Sequence, residues 1–298
     1  MMRRRRHPRP VFRPRSPVFL TMQLLRPSSL TEALDMLARP VLVQVTAGGP
    51  PPVMQPNALL MDVSRLQAMS GIQRLGKQVT LGANTDWSTL ARSTLLGSAG
   101  AGLRDAAALH EKSSPGGLLL HILATPQPDA AIFLALNTLK GRAQFAVRDQ
   151  NGRVFSKEMP LLLALRTPPP EPHLLLAVQI EAPLLGSGSA LYRESDLSPI
   201  QPDARAAAAA VSMDAAGVLT DVRLGLTYPG QWPLACPAVA ELVGQKPKKE
   251  AIELAVRLAR RSCLQAQATS PQFSLMLSPH LIRETLDRAI ARAQALAS

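Results

Sequence analysis

The sequence predicts an α+β fold in two units that meet near residues 183–189, and three observations carry that expectation. Short apolar runs with strand character (Val41–Val45, Leu59–Val63, Gln78–Ala83, Arg142–Arg148 and Leu174–Ile180) are interleaved with helical stretches. The segment Pro183-Leu184-Leu185-Gly186-Ser187-Gly188-Ser189 interrupts both patterns and makes the best domain boundary. Beyond it, Lys249–Cys263 and Ser278–Leu296 read as strongly amphipathic helices. At 298 residues the chain can bury a sizeable core and hold two domains. Aromatic residues are only 3 %, so that core must be aliphatic.

Taken in order, the first stretch is a basic leader. Residues 1–21 carry seven arginines and no acid, and without them the formal charge of +12 falls to +5. The basicity is therefore local and does not mark a nucleic-acid-binding face. The leader lacks the long apolar core of a secretory signal, and Met22, where folded-looking sequence begins, is the expected true start. Ser29 is placed to cap a helix, with Glu32 as its capping-box partner and Leu30, Ala33, Leu34 and Leu37 as the apolar face. Asp86 is expected to cap a helix over Trp87–Arg92. Gly97–Gly102 reads as a turn between helices, because no strand precedes it. A helix over Ala130–Leu136, a hairpin turn at Asp149–Arg153 and a rigid connector at Thr167–Pro172 follow.

Two glycine pairs are the candidate chemistry. The strand Val41–Val45 runs into Thr46-Ala47-Gly48-Gly49, and a helical run ending at Leu109 leads to Ser113-Ser114-Pro115-Gly116-Gly117. Glycine pairs bring bare backbone N–H groups close to a ligand, which suits phosphate, and adjacent hydroxyls add donors. Other chemistries find no support. The five histidines and two cysteines show no metal-ligand spacing, and no Gly-x-Ser-x-Gly elbow occurs. The basic cluster from Lys246 to Arg261 has no interleaved aromatics and reads as a solvated helix face. No run approaches the roughly 18 apolar residues that span a membrane.

The order Arg26-Pro27-Ser28-Ser29-Leu30-Thr31-Glu32-Ala33-Leu34, Ala47-Gly48-Gly49, Leu60-Met61-Asp62-Val63-Ser64, Gly71-Ile72, Leu81-Gly82-Ala83-Asn84-Thr85 and the second Gly-Gly resembles one family. That family is the FAD-binding (PCMH-type) medium subunit of molybdenum hydroxylases, of the carbon monoxide dehydrogenase and xanthine dehydrogenase type. The resemblance implies a PCMH-type domain over residues 22–183, in subdomains of about 22–76 and 77–183, and a C-terminal flavoprotein domain over 187–298. In the latter, Ala204–Met213 and Val218–Leu226 would be antiparallel strands joined at Asp214–Gly217, despite the helix-favouring alanines. It further implies FAD between the subdomains, held at Ala47, Gly48, Gly49, Ser114, Gly116 and Gly117. Thr85 would lie close to it, and Asp129 would contact the flavin. The implied partners are a molybdopterin-binding large subunit and a 2Fe-2S small subunit in a cytoplasmic oxidoreductase.

Several positions depart from the family pattern. Pro50, Pro51 and Pro52 stand where a polar residue is usual and have no N–H to donate. Asp86 replaces a threonine, His110 an arginine, Glu111 and Leu118 asparagines, and Glu194 a lysine. The changes at His110, Glu111 and Leu118 together favour weaker anion binding, the Asp86 charge would sit poorly near a pyrophosphate, and Glu194 would remove a flavin contact. The sequence thus supports a working electron-transfer flavoprotein subunit, or a member of that fold with a decayed flavin site serving structure or assembly.

Overall fold

A computed structural model describes residues 24–48, 58–113, 119–120, 131–183, 185–193, 205–227, 232–266 and 278–295. Three sheets succeed one another along the chain.

The first layer comprises β1 (Leu24–Leu25), α1 (Leu30–Leu37), β2 (Val43–Thr46) and β3 (Leu59–Asp62), with the strands parallel in the order β1-β3-β2. The Ser29 hydroxyl accepts from the Glu32 amide at 3.2 Å, as its spacing predicts. The Glu32 carboxylate, however, takes the amide and hydroxyl of Ser28, each at 2.7 Å, so the box closes one residue earlier than expected. Ala33 and Leu34 are fully buried on the inner face of α1, and burying a leucine side chain contributes about 1.5–3 kcal/mol.

The second layer is a five-stranded antiparallel sheet. Its elements in chain order are β4 (Ile72–Leu75), β5 (Gln78–Gly82), α2 (Trp87–Arg92), α3 (Ala101–Ser113), α4 (Ala131–Thr138), β6 (Arg142–Arg148), β7 (Val154–Pro160), α5 (Leu161–Arg166) and β8 (His173–Glu181). The strand order is β4-β5-β8-β6-β7. Because β4 pairs with β5, the expected subdomain division near residue 76 falls in the turn of their hairpin. The Asp149 carboxylate accepts from the amides of Asn151 and Arg153 and closes the expected β6–β7 turn. Arg148 on β6 pairs with Asp35 on α1 at 2.8 Å and ties the two layers together.

The C-terminal layer holds β9 (Ser187–Arg193), β10 (Ala206–Met213), β11 (Leu219–Thr227), β12 (Leu234–Ala235), α6 (Lys249–Ala266) and α7 (Pro279–Gln294). The strands are antiparallel in the order β12-β11-β10-β9. The alanine run of β10 explains itself by its two faces. Ala206, Ala208 and Ala210 belong to the core shared with the sheet of β4–β8, whereas Ala207 and Ala209 belong to the core under α7. A strand covered on both sides by helices needs small side chains, and packing overrides helix propensity. Pro237–Leu242 form a short 3-10 helix between β12 and α6.

Candidate functional site

The first glycine corner follows from the parallel register of β2 and β3, which sets Thr46 opposite Asp62. Beyond Thr46 the chain passes the buried Ala47 and turns at Gly48, whose φ of +79° lies in the left-handed region. Among the described residues, a side chain there would meet only Ser64 Cβ, at 4.0 Å, so on that side the corner is open. Its N–H, however, donates to Asp62 Oδ1 at 3.1 Å, and the Ser64 N–H donates to the same oxygen at 3.0 Å. Arg26 stands 3.7 Å from Asp62 Oδ2. Burial pushes the Asp62 carboxyl up, but its hydrogen bonds from Ser64 and Gly48, with Arg26, outweigh this and hold it below its ordinary value.

The second anchor is the segment after β5. The Ala83 and Thr85 carbonyls accept from the amides of Leu120 at 2.7 Å and Leu119 at 3.0 Å. The chain that leaves α3 at Ser113 is therefore brought back against Thr85. Thr85 is buried, and its hydroxyl donates to the Gly71 carbonyl at 3.1 Å. Between the two anchors stands Asn84, whose Nδ2 donates to the Val63 carbonyl at 3.0 Å. Its buried Oδ1 has no partner among the described residues. Hydrogen bonds thus tie Gly48 to Asp62, Asn84 to Val63 beside it, and Leu119 to Thr85 beside Asn84, so the first glycine corner and Leu119 share one neighbourhood. Of the expected site residues, Ala47, Gly48 and Thr85 share this cluster. Gly49, Ser114, Gly116, Gly117 and Asp129 lie outside the described residues, as do Pro50–Pro52, Leu118 and Glu194.

Asp86 caps α2, as expected, accepting from the Thr89 amide at 2.8 Å and the Thr89 hydroxyl at 2.7 Å. Glu111 pairs with Arg92 at 3.1 Å, so its charge is partnered on α2. His110 packs on Trp87 with ring centroids 5.2 Å apart. Burial, helped by the charge of Arg193, pushes its imidazole down to about 4, so it is neutral near pH 7.

A cavity of about 230 Å³ opens between the first layer and the five-stranded sheet. Val45, Leu120, Phe145, Ala164, His173 and Leu175 are among the residues that line it.

Solved structures with this architecture include reconstituted CO dehydrogenase from Oligotropha carboxidovorans, with a TM-score of 0.73 and 22 % identity. The match covers 91 % of this chain and 98 % of that one. A chain of carbon monoxide dehydrogenase from Hydrogenophaga pseudoflava, lacking the Mo-pyranopterin moiety of its molybdenum cofactor, matches with a TM-score of 0.72 and 20 % identity over 91 % and 98 % of the two chains. Quinoline 2-oxidoreductase from Pseudomonas putida 86 gives 0.71 and 19 % over 93 % and 98 %. The chain has the fold of these oxidoreductase chains. No protein-family model matches it, and no curated protein matches it in sequence. The α+β fold expected from the sequence is therefore the fold observed, and both anchors lie within it.

Sequence reasoning missed Asp62 and Asn84 as members of the site. Their signal was positional: Asp62 ends a strand beside the glycine corner, and Asn84 follows a strand-terminal glycine. It becomes readable only once the pairing of β2 with β3 and the close approach of residues 63 and 84 are known.

Proposed function

We propose that this chain is the FAD-binding, electron-transfer subunit of a molybdopterin-dependent dehydrogenase or hydroxylase complex in the cytoplasm. Its partners would be a molybdopterin-binding large subunit and a 2Fe-2S small subunit. Residues 22–183 would hold the cofactor and residues 187–298 would form the C-terminal domain. The observation that supports this reading best is that Gly48 and Leu119 are held to one cluster around Asp62, Asn84 and Thr85, in a fold shared with chains of CO dehydrogenase and quinoline 2-oxidoreductase. Among the described residues, the open corner at Gly48 and the orphaned Oδ1 of Asn84 fit a phosphate and a sugar hydroxyl respectively. Bound FAD supplies reversible one- and two-electron transfer, chemistry that belongs to the cofactor. The protein's part is to place the cofactor and set its surroundings. Ala47, Gly48 and Gly49 would face its phosphates from one side, with Ser114, Gly116 and Gly117 on the other. Thr85 would hold the wall between them through Gly71, and Asp129 would accept from the flavin ring.

A specific observation favours the alternative, a degenerate site in a structural or assembly partner. The Asp62 carboxylate already holds the Gly48 amide that a phosphate would take. The visible spectrum of the purified full-length chain, before and after incubation with FAD, separates the readings. Flavin absorbance that survives gel filtration is expected. A colourless protein that takes up no added FAD, yet co-purifies with the large subunit, establishes the alternative.

A further inference from the structure

We propose that Leu75, Leu95 and Leu185 form a docking patch for a segment of a partner protein that presents apolar side chains beside a carboxylate. The inference goes beyond the flavin reading and stands whether or not a cofactor binds. Its first support is exposure. Leu75 is 84 % exposed, Leu185 76 % and Leu95 42 %. Leucines scattered singly on a surface need no explanation, but three gathered at one place mark an interaction surface. Backbone contacts gather these three. Arg74 Nε donates to the Leu95 carbonyl at 2.7 Å, and its Nη1 donates to the carbonyls of Gly76 at 3.0 Å and Ala182 at 2.8 Å. The Ser98 hydroxyl donates to the Ser187 carbonyl, and the Ser189 amide donates to the Ser98 carbonyl at 3.0 Å. The turn that carries Leu95 therefore runs beside the connector that carries Leu185, and Arg74 holds both against the β4–β5 hairpin at Leu75.

Charge is the second support, and it says what the partner carries. The three segments, residues 74–77, 92–98 and 182–187, contain Arg74, Lys77 and Arg92 and no carboxylate. Glu111 pairs with Arg92 at 3.1 Å, whereas no carboxylate among the described residues pairs with Arg74 or Lys77. The Arg74 guanidinium binds carbonyls only, and its buried Nη2 has no partner among the described residues. A cation partly withdrawn from water is costly until an anion joins it. The occupant is therefore acidic as well as apolar. A second copy of this chain would bring the same cations to a two-fold contact, and residues 1–21 hold seven arginines and no acid, so charge opposes both. Three leucine side chains also fall short of the roughly 800 Å² that each partner buries in a standard interface between globular proteins, which suits a short segment.

The test uses the full-length protein and a fluorescein-labelled peptide, Gly-Asp-Leu-Leu-Glu-Leu-Gly, with two controls, one with serines in place of its leucines and one with lysines in place of its acids. Fluorescence anisotropy is expected to show the leucine peptide bound about tenfold more tightly than either control. Hydrogen–deuterium exchange should slow around Leu75, Leu95 and Leu185 when that peptide is added. Leu75→Ser combined with Leu185→Ser alters only exposed side chains, so the variant should fold, and it should weaken the leucine peptide about tenfold. Lys77→Glu should weaken it about threefold. Equal binding by wild type and the double variant overturns the proposal. So does protection confined to residues 1–21, whose arginines would hold any acidic peptide. A serine control bound as tightly as the leucine peptide leaves charge alone as the cause and overturns it too. No binding at about 1 mM peptide has the same consequence.

Discussion

His110 illustrates what burial does to one residue. Its imidazole is held down to about 4, against about 6.5 in an unfolded chain. Between these values the unfolded state binds a proton that the folded state refuses. Stability is therefore full above pH 6.5, is lost as pH falls toward 4, and levels off below that. The loss attributable to His110 is up to about 3 kcal/mol. Urea midpoints measured from pH 7 to pH 4 should show it, and His110→Gln should remove that part of the slope. Lys140 shows a different strain. It holds a φ of 55° after α4, where the Gly141 amide reaches back to Leu136 at 2.7 Å. Lys140→Gly relieves the left-handed penalty and forfeits only long, exposed contacts with Glu181 and Asp221. A gain of about 1 kcal/mol in the urea midpoint is expected.

Elements were legible where local chemistry decides them. Ser29 and Asp86 cap their helices from side chains their own sequence neighbourhoods specify, and the Asp149–Arg153 turn closes through its own aspartate. The strand β4 was harder to read, since Ile72-Gln73-Arg74-Leu75 is too short to show a period and exists because β5 pairs with it. The strand β9 carries the plainest packing constraint. A Cβ at Gly188 would stand 2.2 Å from the Ala289 carbonyl oxygen and 2.5 Å from the Ala293 amide of α7. Backbone cannot yield there as a flexible side chain would, so Gly188→Ala is expected to cost about 3 kcal/mol by chemical denaturation.

Across the whole molecule, α3 is the beam that joins the C-terminal domain to the candidate site. Arg292 on α7 binds both oxygens of Asp105 on α3, at 2.6 and 3.1 Å, and also the Ser189 carbonyl at 2.8 Å. The Leu191 amide donates to the same aspartate, and the Gly102 amide donates to the Ser189 hydroxyl. The helix so held ends at Ser113, shortly before Gly116 and Gly117 in the sequence. Asp105→Asn removes the charge from this fork and is expected to cost about 2 kcal/mol. Limited proteolysis should then cleave between the five-stranded sheet and β9 sooner than in wild type. Among the described residues, no helix is long and apolar enough to cross a membrane.

The sequence by itself determined the caps, the hairpin turns, the amphipathic faces of α6 and α7 and the corner at Gly48. Each of these rests on groups a few residues apart. The tertiary structure alone gave the physical reason that the alanine run is a strand, as the resemblance implied: two cores press on it from opposite sides. It alone decided that Asp62 holds the Gly48 amide and that Asn84 joins the two anchors. Those contacts close over 14 and 21 residues of chain, and no local pattern encodes a bond whose partners meet only after the sheets have paired.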